Sequence, residues 1–157
     1  MKRTDYLTWD AYFMGVALLS AQRSKDPNTQ VGACLVNRSK RIVGIGYNGL
    51  PTGLEDDQYP WHNEGDLVET KYPYVVHAEP NAILNSTASL EGATLYVTLF
   101  PCHECSKLII QSGVKEIVYI EDKYQDKASF IASKRMLKDV GIALRQMTPL
   151  SVEVKEQ

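Results

Sequence analysis

Cysteine is scarce in this chain of 157 residues: there are three, an odd number. That count excludes a disulfide scaffold and fits a reducing compartment. Histidine is equally sparse, at three residues. No apolar run approaches the roughly 18 residues of a membrane span. The first ten residues, MKRTDYLTWD, are too polar for a secretory signal. A soluble cytoplasmic protein with no membrane partner is therefore expected. An excess of charge of one sign is missing as well. The 17 basic and 19 acidic residues leave a net charge of −2, and the pI is near 5.9. Nucleic-acid domains usually carry a broad basic excess, so no nucleic-acid partner is expected. Repeats and low-complexity tracts are absent. What remains is ordinary for a globular protein, 44% hydrophobic and 23% charged. The length suits one domain over residues 1–157.

Hydrophobic periodicity divides the chain. Thr8 to Arg23 has helical spacing, with Thr8 as a possible N-cap and Trp9, Tyr12, Phe13, Val16 and Ala17 as the expected core face. Val31–Asn37 and Arg41–Tyr47 read as two strands of a hairpin, since only three residues part them. Residues 48–73 then form a long polar insertion with three prolines, three glycines and six acidic residues. Such a loop is either a solvated insertion or a binding element. The second half alternates. A short β-branched stretch, Tyr74–Val76, precedes a helix over Pro80–Ala88. Strand Ala93–Thr98 leads to helix Cys102–Ser112, stopped by Gly113. Strand Glu116–Ile120, helix Asp126–Val140 and strand Ile142–Met147 complete the pattern, with Phe130, Ile131, Met136 and Leu137 on one side of that helix. Residues 149–157 are expected to be a flexible tail. Strand–helix–strand units need crossovers, so the last three strands should run parallel. The expected fold is α/β: a three-layer α/β/α sandwich on a five-stranded mixed sheet.

The chemistry gathers in two short motifs, His77-Ala78-Glu79 and Pro101-Cys102-His103-Glu104-Cys105. Two cysteines at a helix start, parted by two residues, can turn both sulfurs to one point. Thiolates and imidazole together suit Zn²⁺. His77, Cys102 and Cys105 make three ligands and leave the fourth tetrahedral position to water, as in catalytic zinc sites. Helix N-termini favour the thiolate form. Glu79 can act as general base without ligating. The backbone N–H groups of Ala78 and Glu79 are free to bind a carbonyl. Two alternatives stand beside this. A redox CxxC pair would leave His77 and Glu79 unexplained. A structural zinc knuckle would need a fourth ligand, and His103 would have to fold back to supply it. Cys34, inside a β run, is expected to be plain core.

The combined H-x-E and P-C-x-x-C pattern is an established mark of zinc deaminases. Around it, Gln22-Arg23-Ser24-Lys25-Asp26-Pro27, Gln30-Val31-Gly32-Ala33, Gly46-Tyr47-Asn48-Gly49, Lys71-Tyr72-Pro73, Asn81-Ala82-Ile83 and Asp122-Lys123-Tyr124 make the chain resemble the cytidine deaminase superfamily. Within it, the chain is most similar to the deoxycytidylate (dCMP) deaminases, from about Tyr6 to Thr148. The resemblance implies zinc-dependent conversion of dCMP to dUMP and ammonia. It implies a phosphate contact from Arg23, with Ser24, Lys25 and Tyr124 as weaker candidates, and a sugar contact from Asn48. It also implies hexamers activated by dCTP with Mg²⁺ and inhibited by dTTP. Tyr47, Gly49 and His62 are the candidates for that effector site. Pro80 departs from the ordinary helix former expected after Glu79. Rivals are another deaminase of the same fold, such as a tRNA-adenosine enzyme that would favour a basic flank, and a catalytically silent zinc scaffold.

Overall fold

Burial on both faces of the strands sets the layers. In β1 (Gly32–Val36) every residue is buried. Ala33 and Leu35 enter one core, while Cys34 and Val36 enter the other. β3 (Thr94–Leu99) divides in the same way, with Leu95 and Val97 on one side and Tyr96 on the other. Strands covered on both faces read as continuous apolar runs, as these do. The computed structural model describes all 157 residues. Its five strands run in the order β2-β1-β3-β4-β5, with β2 at Ile42–Tyr47, β4 at Glu116–Glu121 and β5 at Ala143–Gln146. β1 pairs antiparallel with both β2 and β3, whereas β3, β4 and β5 are parallel. Helix α1 (Trp9–Ala21) covers one face. Helices α2 (Ala78–Leu84), α3 (His103–Ser112) and α4 (Ala128–Asp139) cover the other. The expected three-layer mixed-sheet sandwich is present. No helix is long and apolar enough to cross a membrane.

Local chemistry explains the helix ends. The Ala11 N–H donates to Thr8 Oγ1 at 3.1 Å, so Thr8 caps α1 as expected. Gly113 ends α3 at φ +94°, a left-handed conformation that favours glycine. α2 starts at Ala78, two residues before the expected Pro80. Pro80 falls in its first turn, where a backbone N–H has no intrahelical partner to lose.

Other expectations change. Tyr74–Val76 is no strand; Val76 makes only an isolated bridge to Gly49. The insertion holds two short 3-10 turns, at Asp56–Gln58 and Leu67–Glu69. Of the aromatics on α1, Phe13 is core, but Trp9 and Tyr12 are 55% and 46% exposed. Trp9 lies stacked along the outer flank of Phe13, 5.3 Å away, instead of beneath the helix. Ile131 also faces outward, because Ser133 and Leu137 take the buried side of α4. The tail is partly docked. Leu150 packs on the α1-side core beside Met147, and Gln22 Nε2 donates to the Val152 carbonyl at 2.8 Å.

Two glycines bring α2 onto the sheet. A Cβ at Gly44 would lie 2.5 Å from the Ala82 oxygen, and one at Gly46 would lie 2.5 Å from the Ala78 oxygen and the Ala82 nitrogen. The helix backbone therefore rests directly on β2. Its first turn is held at one height beside the carboxyl end of β3, where α/β sheets place their ligands.

Candidate active site

His77 is the N-cap residue of α2 and Cys102 that of α3. N-cap side chains usually bond back to their own helix. Neither does so here, and both turn to the gap between the two helix starts. Cys105, one turn into α3, completes the group. His77 Nδ1 lies 3.2 Å from Cys105 Sγ and 3.7 Å from Cys102 Sγ, and the three donor atoms lie within 4.8 Å of one another. Tetrahedral zinc with Zn–N of about 2.0 Å and Zn–S of about 2.3 Å requires N···S separations of about 3.5 Å. The donor set and its spacing fit Zn²⁺. No fourth His, Cys, Asp or Glu joins the group. His103 turns away, with Nδ1 2.6 Å from Ser129 Oγ. The arrangement is thus an open three-ligand centre, not a closed structural knuckle.

The sulfurs are electrostatically unequal. The Cys102 thiol is pulled down to about 4, chiefly by its hydrogen bond from Cys105 and further by His77, against the effect of burial. Cys105 is pushed up by the same bond and by burial. His77 is raised, mainly by its bond to Cys102. One thiolate is therefore ready-made, and a divalent cation would displace the remaining thiol proton. Cys34 stands apart as a core residue, its thiol pushed up to about 12 by burial.

Glu79 sits one residue past the start of α2 and is 4% exposed. Burial raises its carboxyl above the usual range, which suits a group that must both take and give protons. It lines a cavity of about 290 Å³ with Ala78, Phe100, Tyr124 and Phe130. Tyr124 lies under two cations, with Lys127 Nζ 4.5 Å from its ring centre and Lys123 Nζ 5.2 Å.

The expected nucleotide contacts lie farther out. Arg23 and Lys25 line a second cavity of about 180 Å³, with Tyr47, Gly49 and Asp56. Asn48 lines both cavities. Its amide is already used: Oδ1 accepts from the Val31 N–H at 2.8 Å, and Nδ2 donates to the Thr29 carbonyl at 2.9 Å. Ser24 Oγ donates to the Asn48 carbonyl at 2.9 Å. Lys25 is ion-paired with Asp56. His62 is exposed and lies in neither cavity; its carbonyl accepts the Lys71 N–H. Sequence reasoning missed Asp26, Lys71 and Lys127, all of which line the larger cavity. Lys71 was visible only as part of the Lys71-Tyr72-Pro73 motif. Nothing local ties it to Asp26, 45 positions earlier.

An open nitrogen–sulfur metal centre with a buried carboxylate beside a ligand-sized cavity defines a metal-assisted hydrolase. Residues 7–121 match the cytidine and deoxycytidylate deaminase zinc-binding region, and the chain belongs to that family. It is 53% identical over 150 residues to the deoxycytidylate deaminase of Homo sapiens, covering 94% of this chain and 84% of that protein. Identity to the Mus musculus deoxycytidylate deaminase is 55% with the same coverage. Among solved structures, the dCMP deaminase of cyanophage S-TIM5 in complex with dCMP and dUMP superposes with a TM-score of 0.69. It is 32% identical, and the match spans 87% of this chain and 94% of that one.

Proposed function

We propose that this protein hydrolyses the 4-amino group of dCMP, giving dUMP and ammonia and so supplying dUMP for thymidylate synthesis. The observation that carries this is the open His77/Cys102/Cys105 centre, with buried Glu79 on the wall of a 290 Å³ cavity. Zinc held by these three ligands supplies Lewis acidity, which makes water nucleophilic near neutral pH. Glu79 takes a proton from the attacking water and delivers it to ring N3. The water oxygen adds to C4. Glu79 carries the second water proton to the amine, which leaves as ammonia. The Ala78 and Glu79 N–H groups, unspent by the helix they begin, hold the pyrimidine carbonyl. Phe100 and Phe130 exclude bulk water from the ring.

Arg23 binds the substrate phosphate as a bidentate fork. Ser24 and Tyr124 are weaker candidates for that contact: Ser24 Oγ is bonded to the Asn48 carbonyl, and Tyr124 lines the larger cavity. Lys25 joins when phosphate draws it from Asp56. Asn48, locked on Thr29 and Val31, shapes the wall where the sugar lies. The support is that Asn48 lines both cavities, so a base in one and a phosphate in the other belong to one molecule. Regulation is part of the same proposal: hexamers, with dCTP and Mg²⁺ activating and dTTP inhibiting. Tyr47 and Gly49 are its candidate effector residues; they share the second cavity with Arg23, so the proposal requires the effector to reach them from their solvent side, away from the substrate phosphate. His62, outside that cavity, would join only through movement of the insertion or from a neighbouring subunit.

The test is ammonia release by zinc-loaded protein from dCMP, CMP, dCTP and deoxycytidine, each with and without dCTP·Mg²⁺ and dTTP. Preference for dCMP is expected, with a sigmoidal response that dCTP·Mg²⁺ makes hyperbolic. Absence of ammonia from dCMP refutes the activity; a hyperbolic response unmoved by either triphosphate refutes the regulation.

A further inference from the structure

Lys71 is the buried cation of the larger cavity. It is 8% exposed, and its partner Asp26 is 3% exposed. Lys71 Nζ donates to both carboxylate oxygens, at 2.9 Å and 2.7 Å. Asp26 Oδ1 also accepts the backbone N–H groups of Asn28, at 2.8 Å, and Thr29, at 3.2 Å. The carboxylate is thus fixed by its own turn and presents Lys71 as a rigid group. On the other side, the Lys71 N–H is held by the His62 carbonyl, and the Lys71 carbonyl accepts from Tyr74 and Val75. The pair joins the end of the 48–73 insertion to the segment leading into β1.

A buried ion pair is a weak stabiliser, because desolvation offsets most of the attraction. This one also stands on the wall of the cavity that holds His77 and Glu79. An ammonium has three N–H donors, and the two contacts to Asp26 are its only protein hydrogen bonds. With Asp26 neutralising its charge, it makes a poor trap for a phosphate but a well-fixed donor to an uncharged oxygen.

We propose that Lys71, oriented by Asp26, is a substrate-binding residue that donates its remaining N–H to an uncharged oxygen of the nucleoside moiety, a sugar hydroxyl or the ring carbonyl. This rests on the deaminase function proposed above. Its consequence differs from that of Arg23: the contact is shared by substrates with and without a phosphate.

The experiment compares Lys71→Met, Asp26→Asn and the double variant with the wild type, all zinc-loaded. Readouts are zinc content, thermal midpoint, and kcat and KM for dCMP and deoxycytidine. Wild-type turnover is the control; its failure removes the functional reading and not the Lys71 contact. Lys71→Met should keep its zinc, and kcat/KM should fall about 10–100-fold by the same factor on both substrates, mainly through KM. The single variants strand one buried charge and should be less stable. The double variant removes both charges and should regain the wild-type midpoint while keeping the raised KM. A double variant with wild-type KM would show a merely structural pair and overturn the proposal. A loss confined to dCMP would also overturn it.

Discussion

The two ends of the proposed substrate site are built in different ways. At the chemical end, four side chains come from two helix starts: His77 and Glu79 on α2, Cys102 and Cys105 on α3. Each motif is a few residues long, and the glycine-seated helix and the buried β3 hold both in place. At the proposed recognition end, Arg23, Ser24, Asp26, Asn48 and Lys71 come from three loop stretches (23–26, 48 and 71) separated by tens of residues. A hydrogen bond joins Ser24 to Asn48, an ion pair joins Asp26 to Lys71, and Asn48 is tied to Thr29 and Val31. The chemical end has its geometry before any ligand arrives. The recognition end is a network of polar ties, in which one lost partner loosens several segments. Substitutions at the first end should therefore act on turnover and those at the second on binding.

The strongest challenge to that contrast is Glu79→Gln. Turnover should fall about 10²–10⁴-fold while zinc content, read by atomic absorption, stays at the wild-type level. Near-normal turnover in the zinc-loaded variant would remove Glu79 from the chemistry. Next in size is Arg23→Ala. Loss of a charge-assisted contact should lower kcat/KM for dCMP about 10–100-fold while leaving deoxycytidine unaffected. Parallel loss on both substrates would place Arg23 with the fold and not with the phosphate. The smallest effect is expected far from both ends. Asp10 accepts from Arg145 at 2.8 Å and 3.1 Å and from the Tyr96 hydroxyl at 2.6 Å. The Arg145 contact is the main cause holding its carboxyl down at about 2. A depressed carboxylate stabilises the folded state above its unfolded pKa near 3.8 and loses that contribution as pH falls through about 2. Asp10→Asn should therefore cost about 1 kcal/mol at pH 6, allowing for solvent screening of this partly exposed pair. The difference in urea midpoint from wild type should shrink between pH 4 and pH 2, and activity at pH 7 should be unchanged.

The same contrast explains what could be read from the chain. The helix-start motifs have short-range spacing, so His77, Glu79, Cys102 and Cys105 stand out in sequence and meet in space. The parallel half of the sheet was legible because helical runs part its strands. The Asp26–Lys71 pair has no such pattern: its members are 45 positions apart and lie in segments without periodicity. Asn48 shows a related difficulty. Its Asn-Gly context marks a turn, but only the fold reveals that its amide is spent on Thr29 and Val31. The docking of the tail leaves no periodic signal, because it rests on one side chain, Leu150, and on the Gln22–Val152 hydrogen bond. Trp9 and Tyr12 share helical spacing with Phe13, yet of the three rings only that of Phe13 is buried.

The direct seating of α2 on β2 has a consequence for inheritance. At Gly46, a Cβ would meet the backbone that carries His77 and Glu79. Every amino-acid replacement open to a glycine codon by a single base change adds a side chain. The codon for Gly46 thus has silent neighbours and disruptive ones, with none in between. Activity can be lost there without any change to His77, Cys102, Cys105 or Glu79 themselves.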